Sequence, residues 1–174
     1  MKSLWTELQV AFDGELWQLR DAPMEPKPVQ KPYPPLWFGA NGPTALRRAV
    51  QMGTGFFGAG STSTAKFAGQ AQIVREALAE TGRPSADFPI AKRVYIAIAT
   101  PGYARKRIST ELERLYGHRS PAVEAAAITG RPADCVRQVR EVAEAGAELI
   151  LFMALFEEAE HAERVAAEVI PELG

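Results

Sequence analysis

The residues best suited to chemistry lie in a glycine-rich turn, Gly39, Ala40, Asn41 and Gly42, which we call the first loop. Pro43 follows it and is typical of the first position of a helix, where its missing N–H group has no partner to lose. Glycine lets the backbone approach a ligand closely, and free N–H groups at a helix N-terminus attract anions. The sequence of the first loop therefore predicts a binding site for phosphate or another anion. An ordinary connection between a strand and a helix is the alternative.

A strand and a helix must position this loop. Before it, residues 36–38 form a short apolar run that predicts a buried strand. After it, residues 44–50 place apolar side chains at helical spacing, with Arg47 and Arg48 on the opposite face. Residues 53–59 predict a second buried strand, and the small residues 60–63 supply a serine or threonine cap for another helix.

Strands and helices alternate through the rest of the chain. The spacing of Phe67, Ala71, Val74 and Leu78 predicts a helix that stops at Gly82. Strands are predicted over residues 89–100 and 149–154, the latter buried on both faces, with helices near residues 103–116, 121–128, 132–145 and 157–169. This order predicts an α/β fold with a parallel sheet whose strands start near residues 35, 55, 91 and 148.

The first 34 residues are organised differently. Residues 1–9 predict the end of an amphipathic helix, and Asp13-Gly14 between apolar residues predicts a hairpin with a two-residue turn. Six prolines between residues 21 and 35 then require an extended arm. We expect one domain over residues 1–174, with the hairpin and proline-rich arm at residues 10–34 and four β/α units at residues 35–174.

Composition excludes several classes of function. A 174-residue chain with 47% hydrophobic and 24% charged residues is typical of a globular protein. A net charge of −1 and a pI near 6.2 give no basic surface for nucleic acid or a membrane. No apolar run reaches the roughly 20 residues of a membrane span, and the N-terminus lacks a signal-peptide core. We expect a cytoplasmic protein.

Other reactive side chains support no site. His118 and His161 lie on separate segments and the chain has one cysteine, Cys135, which argues against a metal site. No serine lies in a nucleophile turn. Lys92 and Arg93 come early in their strand, so we expect them at the end opposite the first loop, structural or exposed to solvent.

Several segments together resemble the luciferase-like monooxygenase family of flavin- and deazaflavin-dependent (β/α)8 barrels. The resemblance is carried by the hairpin at residues 12–17, the proline-rich arm running into Trp37, Phe38 and Gly39, and the strand at residues 53–57. Gly42-Pro43 and the motif at residues 129–132 complete it. It covers nearly all of this chain but only the last four strands of the family's barrel, and so implies a partial TIM barrel.

The resemblance also implies a cofactor, FMN or the 8-hydroxy-5-deazaflavin F420, and an oxidoreductase or monooxygenase acting on a small molecule. In the family, the loop after the fifth strand holds the cofactor phosphate through backbone N–H groups, and the resemblance assigns this role to the first loop. The segment Ala59, Gly60, Ser61 and Thr62, which we call the second loop, lies beside the cofactor or the substrate. Ala40 and Asn41 stand where the family frequently has a second glycine. The family's catalytic side chains lie mainly on the first four strands, so no catalytic residue is assigned.

A half barrel leaves sheet edges and an inner face uncovered. About eight side chains that lose about 1.5–3 kcal/mol each would forfeit as much free energy as stabilises a whole domain. We therefore expect a homodimer, or pairing with a separate chain that supplies the N-terminal half. Two alternatives remain open, a non-catalytic oligomerisation scaffold and an inactive truncated fragment.

Overall fold

A computed structural model describes residues 1–174 as two compact units, Met1–Leu36 and Trp37–Gly174. The first unit contains a short helix α1 (Lys2–Thr6) and the antiparallel strands β1 (Val10–Asp13) and β2 (Gln18–Ala22). No helix or strand follows between residues 23 and 36, as the prolines predict. Within this unit Lys27 Nζ donates to the carbonyl oxygens of Leu4 (3.0 Å) and Glu7 (2.6 Å), which ties the arm to α1 and the residue after it.

The predicted hairpin is present, but its predicted two-residue turn is wrong. Asp13 lies inside β1 and pairs with Gln18, while Phe12 pairs with Leu19. Residues 14–17 make the connection, closed by a 3.0 Å hydrogen bond from the Gly14 N–H to the Trp17 carbonyl. A turn at Asp13-Gly14 would have placed Glu15 opposite Phe12. The longer loop instead pairs Phe12 with the apolar Leu19.

The second unit is a parallel sheet with helices in the connections. Its first half comprises β3 (Trp37–Phe38), α2 (Pro43–Met52), β4 (Gly55–Gly58), α3 (Thr64–Glu80) and β5 (Ile90–Ile98). Its second half comprises α4 (Pro101–Tyr116), α5 (Pro121–Ala126), β6 (Ile128–Gly130), α6 (Pro132–Glu144), β7 (Leu149–Met153) and α7 (Glu158–Arg164). A π-helical turn, Val165–Val169, and a 3₁₀ turn, Ile170–Glu172, continue α7. None of the helices is long and apolar enough to cross a membrane.

Strand β5 is the centre of the sheet. It pairs in parallel with β4 through Ile90–Lys92, with β7 through residues 91–95 and with β6 through residues 96–98. β3 pairs with β4 on the far side. The four predicted strands are confirmed. The short helix predicted at residues 121–128 is observed as α5, but β6 after it was missed, because three residues are too few for alternation to identify a strand.

Two apolar clusters lie on opposite faces of the sheet. The larger contains the predicted inward side chains of α3 (Phe67, Ala71, Val74 and Leu78) together with residues of α2 and α6. The smaller joins Tyr95 and Ala97 of β5 to α4 and Phe156. On β7, Ile150 and Phe152 pack against the larger cluster, but Leu149 and Leu151 are 52% and 49% exposed. The prediction that β7 is buried on both faces is therefore wrong, because no element covers the face formed by these two leucines.

Candidate functional site

The two loops follow the carboxyl ends of neighbouring strands. β3 ends at Phe38 and the first loop follows it, while β4 ends at Gly58 and the second loop follows that. Because β3 and β4 are parallel and paired, both loops lie at the same edge of the sheet. This is the edge at which ligands bind in parallel α/β folds.

The first loop is open to solvent and has free donors. Gly39, Asn41 and Gly42 are exposed, and none of the loop's four backbone N–H groups makes a hydrogen bond within the chain. Helix α2 begins directly after it with no side-chain cap, and its first turn contains Pro43. The next N–H groups of that turn also lack intrahelical partners. Several donors and the positive end of a ten-residue helix therefore converge on the first loop.

The backbone of the first loop does not require a second glycine at position 40 or 41. Asp21 and Glu157 are the non-glycine residues with positive φ, so Ala40 and Asn41 both keep ordinary backbone conformations. The alanine at position 40 therefore introduces no backbone strain into the first loop.

The second loop is a tight turn that lies deeper in the protein. The Thr62 N–H donates to the Ala59 carbonyl at 3.1 Å, and both Gly60 and Thr62 are buried. A Cβ atom at position 60 would lie 2.9 Å from the Tyr95 ring and 3.0 Å from Arg93 Nε, so the close approach requires glycine. Helix α3 follows with a serine cap, as predicted, since Ser63 Oγ accepts from the Lys66 N–H at 3.3 Å.

Two buried polar side chains bind the carbonyl groups of these loops. Gln70 of α3 is 3% exposed, and its Nε2 donates to the Ala40 carbonyl and to Asn41 Oδ1, both at 3.3 Å. Lys92 of β5 is 1% exposed, and its Nζ donates to the carbonyls of Ala59 (3.1 Å) and Thr62 (2.7 Å). Each loop thus has carbonyl groups tied to the core.

The prediction that Lys92 lies at the end of the sheet opposite the first loop is wrong. Gly58, the last residue of β4, pairs with Lys92, so the lysine lies level with the carboxyl end of β4 and not at the opposite end of the sheet. It is also buried, with its ammonium group 5.3 Å from the centre of the Phe67 ring. Burial, and to a smaller extent the charge of Arg93, lowers the pKa of Lys92 from 10.5 to about 8. Its position depends on the register between β4 and β5, which a single strand's pattern does not contain.

Sequence reasoning also missed a polar cluster on the other face of β5. Arg93 Nη2 donates to the Tyr95 hydroxyl (3.2 Å), and that hydroxyl lies 2.8 Å from the Tyr116 hydroxyl. Burial and the Tyr116 hydrogen bond raise the pKa of Tyr95 to about 12. Arg93 Nε is buried without a partner and faces Gly60. The two-residue spacing of Arg93 and Tyr95 was the available signal, because it places both on one face of a strand.

Neither histidine belongs to the two loops. His118 is exposed and its Nδ1 lies 3.1 Å from the Tyr116 carbonyl, while His161 of α7 is 2% exposed. No group of three or more His, Cys, Asp or Glu side chains is placed to hold a metal ion. Chemically, the loop edge offers backbone donors for an anion and a buried positive charge beneath the second loop.

Comparisons with known proteins all match this chain to members of one family. The sequence model of the luciferase-like monooxygenases matches residues 1–121. An F420-dependent glucose-6-phosphate dehydrogenase of Intrasporangium calvum is 26% identical over 198 aligned residues, covering 99% of this chain and 58% of that protein. An FMNH2-dependent dimethylsulfone monooxygenase of Pseudomonas putida is 27% identical over 62 residues, which are 36% of this chain and 17% of that protein.

Solved structures show the same fold. The F420-dependent tetrahydromethanopterin reductase of Methanopyrus kandleri superposes with a TM-score of 0.79 at 18% identity, covering 99% of this chain and 60% of the reductase. A monooxygenase of Streptomyces bottropensis gives a TM-score of 0.75 at 21% identity, covering 99% and 58%. The chain therefore spans about three fifths of the length of the relatives that it matches from end to end. Its parallel sheet is part of a TIM barrel, as the resemblance implied.

Proposed function

Because its residues 1–121 match the family's sequence model, this chain belongs to the luciferase-like monooxygenase family, and we propose that its first loop binds the phosphate of FMN or F420. The relatives named above include FMNH2-dependent and F420-dependent enzymes. The activity we propose is that of a flavin- or deazaflavin-dependent oxidoreductase acting on a small molecule, with part of the barrel supplied by this chain. When bound, such a cofactor supplies the redox chemistry, hydride transfer or oxygenation.

The free donors of the first loop carry this proposal. The backbone N–H groups of Gly39, Ala40, Asn41 and Gly42 have no partner in the chain and lie beside the uncapped start of α2. Nothing lies within 4 Å of a Cβ position at Gly42, so a phosphate oxygen can approach the backbone there. Phosphate groups bind at helix N-termini through this combination of donors and dipole.

Gln70 and Lys92 support the loops from the core side. By binding the Ala40, Ala59 and Thr62 carbonyls, they keep these acceptors turned toward the core. In this proposal, that arrangement leaves N–H groups available on the opposite side, and Lys92 places a positive charge beneath the neighbouring second loop. Ala59, Gly60, Ser61 and Thr62 then form a wall beside the cofactor or its substrate, braced by Arg93 and Tyr95.

A comparison of FMN with riboflavin tests the role of the first loop, because riboflavin is FMN without its phosphate. We expect the purified chain to bind FMN at least tenfold more tightly than riboflavin, since a hydrogen bond to a charged group contributes about 1.5–3 kcal/mol. Flavin fluorescence titration measures both affinities, and F420 is titrated in parallel. Equal affinities for FMN and riboflavin would show that the loop does not bind phosphate. No binding of any of the three would favour the non-catalytic scaffold or the truncated fragment.

We further propose that the exposed leucine face of β7 is covered by a second copy of the chain or by a chain carrying the N-terminal half of the barrel. Leu149 and Leu151 are half exposed on neighbouring positions of one strand face. Burying a leucine contributes about 1.5–3 kcal/mol, so covering both favours association. In this proposal the barrel is complete only in the assembly.

Charges on this face are expected to weaken self-association. In the double variant Leu149→Glu, Leu151→Lys, we expect dissociation at concentrations at least tenfold higher than for the unchanged chain, because charged side chains resist burial. Light scattering coupled to size-exclusion chromatography measures the masses. The double variant Gln51→Glu, Ala65→Lys places the same charges on exposed helix positions and is the control. A chain that remains monomeric and folds cooperatively without either change contradicts the proposal.

A further inference from the structure

A cavity of about 490 Å³ lies where β5 and β7 approach their carboxyl ends, beside α7. Its walls are mostly apolar and come from both strands and from the last helix. The apolar lining consists of Ile96, Phe152, Met153, Ala154, Ala162 and Val165. Two polar side chains complete it, the exposed Glu158 and the buried His161. The volume lies within the range of small-molecule sites, about 300–1,000 Å³.

His161 lines this cavity, and its ring has an unused hydrogen-bond acceptor. Its Nδ1 lies 3.1 Å from the Glu157 carbonyl, and because a carbonyl can only accept, Nδ1 carries the proton. In the neutral ring, Nε2 is therefore a bare acceptor. Nε2 is buried and has no partner in the chain, although His161 is 2% exposed. Buried polar side-chain atoms are nearly always hydrogen-bonded, so this nitrogen calls for a donor from outside the chain.

The neighbouring backbone fixes the orientation of this ring. Glu157 has φ 46°, a left-handed conformation that is costly for a residue with a side chain. Its carbonyl accepts both the His161 backbone N–H (2.9 Å) and Nδ1. The Phe156 ring packs edge-on to the imidazole with their centres 4.9 Å apart. Strained residues of this kind are concentrated at ligand sites, where they position other groups.

We propose that this cavity binds a small uncharged molecule with an apolar body and one hydroxyl group, which donates its hydrogen bond to His161 Nε2. The apolar walls favour the body of the ligand, and the single acceptor selects one donor group. The carboxylate of Glu158 at the cavity lining disfavours anions. The proposal does not depend on cofactor binding by the first loop.

Phenol and toluene test the proposal, because they have nearly the same shape and differ in one hydroxyl group. We expect the full chain to bind phenol at least tenfold more tightly than toluene, measured by calorimetry without added flavin. Phenol, and not toluene, is expected to shift the ¹⁵N resonance of His161 Nε2. In His161→Leu, which removes the acceptor from an apolar environment, the preference for phenol should disappear. Circular dichroism and thermal unfolding verify that this variant is folded.

A second variant keeps the acceptor and reduces the space. Ala162→Phe places an aromatic ring at the cavity wall and is expected to weaken binding of both probes while His161 stays in place. Equal binding of phenol and toluene by the unchanged chain would overturn the proposal, as would a preference for phenol that persists in His161→Leu. Failure of both probes to bind or to shift the Nε2 resonance would assign the acceptor to water and overturn the proposal as well.

Discussion

Replacing Gly42 with aspartate is expected to weaken FMN and F420 binding strongly while leaving the protein at least as stable as before. Position 42 is the N-cap of α2, has no neighbour within 4 Å of a Cβ atom, and accepts a side chain without a clash. An aspartate there can bind the free N–H groups of the first turn and interact favourably with the helix dipole, which contributes about 0.3–1 kcal/mol. The same carboxylate would occupy the donors proposed for the phosphate and repel it. At contact distance near a protein surface this repulsion reaches about 4 kcal/mol, so we expect affinity to fall more than 30-fold.

The control for this variant is Gly42→Asn, which caps the helix without a charge. We expect it to match the aspartate variant closely in thermal stability and to lose less cofactor affinity. In the aspartate variant, stability is expected to hold or rise while cofactor affinity falls. General damage to the fold would instead lower both stability and affinity. An aspartate variant that binds FMN as tightly as the unchanged chain would exclude the first loop as the phosphate site.

Lys92→Met is expected to reduce cofactor affinity about tenfold or more by loosening the second loop. Methionine fills the space of the lysine stem but donates no hydrogen bond, so the Thr62 carbonyl loses the partner that holds it at 2.7 Å. An unsatisfied buried carbonyl costs about 1–3 kcal/mol. The Ala59 carbonyl keeps its bond from the Thr62 N–H. Removing a buried charge offsets part of this cost in the whole protein, and we therefore expect affinity to change more than stability.

The pH dependence of stability distinguishes Lys92 from other lysines. Burial lowers its pKa in the folded protein from 10.5 to about 8, with Arg93 as the neighbouring charge. Between these values the unfolded chain binds more protons than the folded chain, so this group makes stability rise as pH increases from about 8 to about 10.5. Burial raises the pKa of Cys135 from 9.0 to about 11, which makes stability fall above pH 9 and opposes the Lys92 contribution there. Urea unfolding at several pH values should therefore show the rise between about pH 8 and 9 in the unchanged chain and lose it in Lys92→Met. The exposed Lys66→Met is the matched control and should keep the rise. Loss of the rise in both variants would contradict the assignment to Lys92.

The features predicted correctly from the sequence depend on the pattern within one element. The spacing of Phe67, Ala71, Val74 and Leu78 identifies the buried face of α3, because a helix repeats its faces every 3.6 residues whatever it packs against. The alternation of strands and helices likewise predicts a parallel sheet. The position of the first loop after β3 follows from these local patterns.

The features that were missed depend on the register between elements. Lys92 lies early in β5, and only its pairing with Gly58 places it beneath the second loop. The apolar sequence of β7 does not tell which face is covered, and Leu149 and Leu151 are half exposed. The sequence places His161 on the last predicted helix without indicating which face of that helix is covered, and the structure makes it the buried residue of α7. The roles proposed for the first and second loops remain predictions.

The central position of β5 has a consequence for synthesis on the ribosome. Residues 91–95 find their partners in β7 only after residues 149–153 have been made. Both loops and Lys92 leave the exit tunnel much earlier, yet the strand that carries Lys92 then has an unpaired edge. Long-range pairing of this kind is slow and exposes apolar strands in the meantime. The nascent protein therefore completes the pairing of β5 late, and synthesis that stops before residue 149 leaves the sheet unfinished.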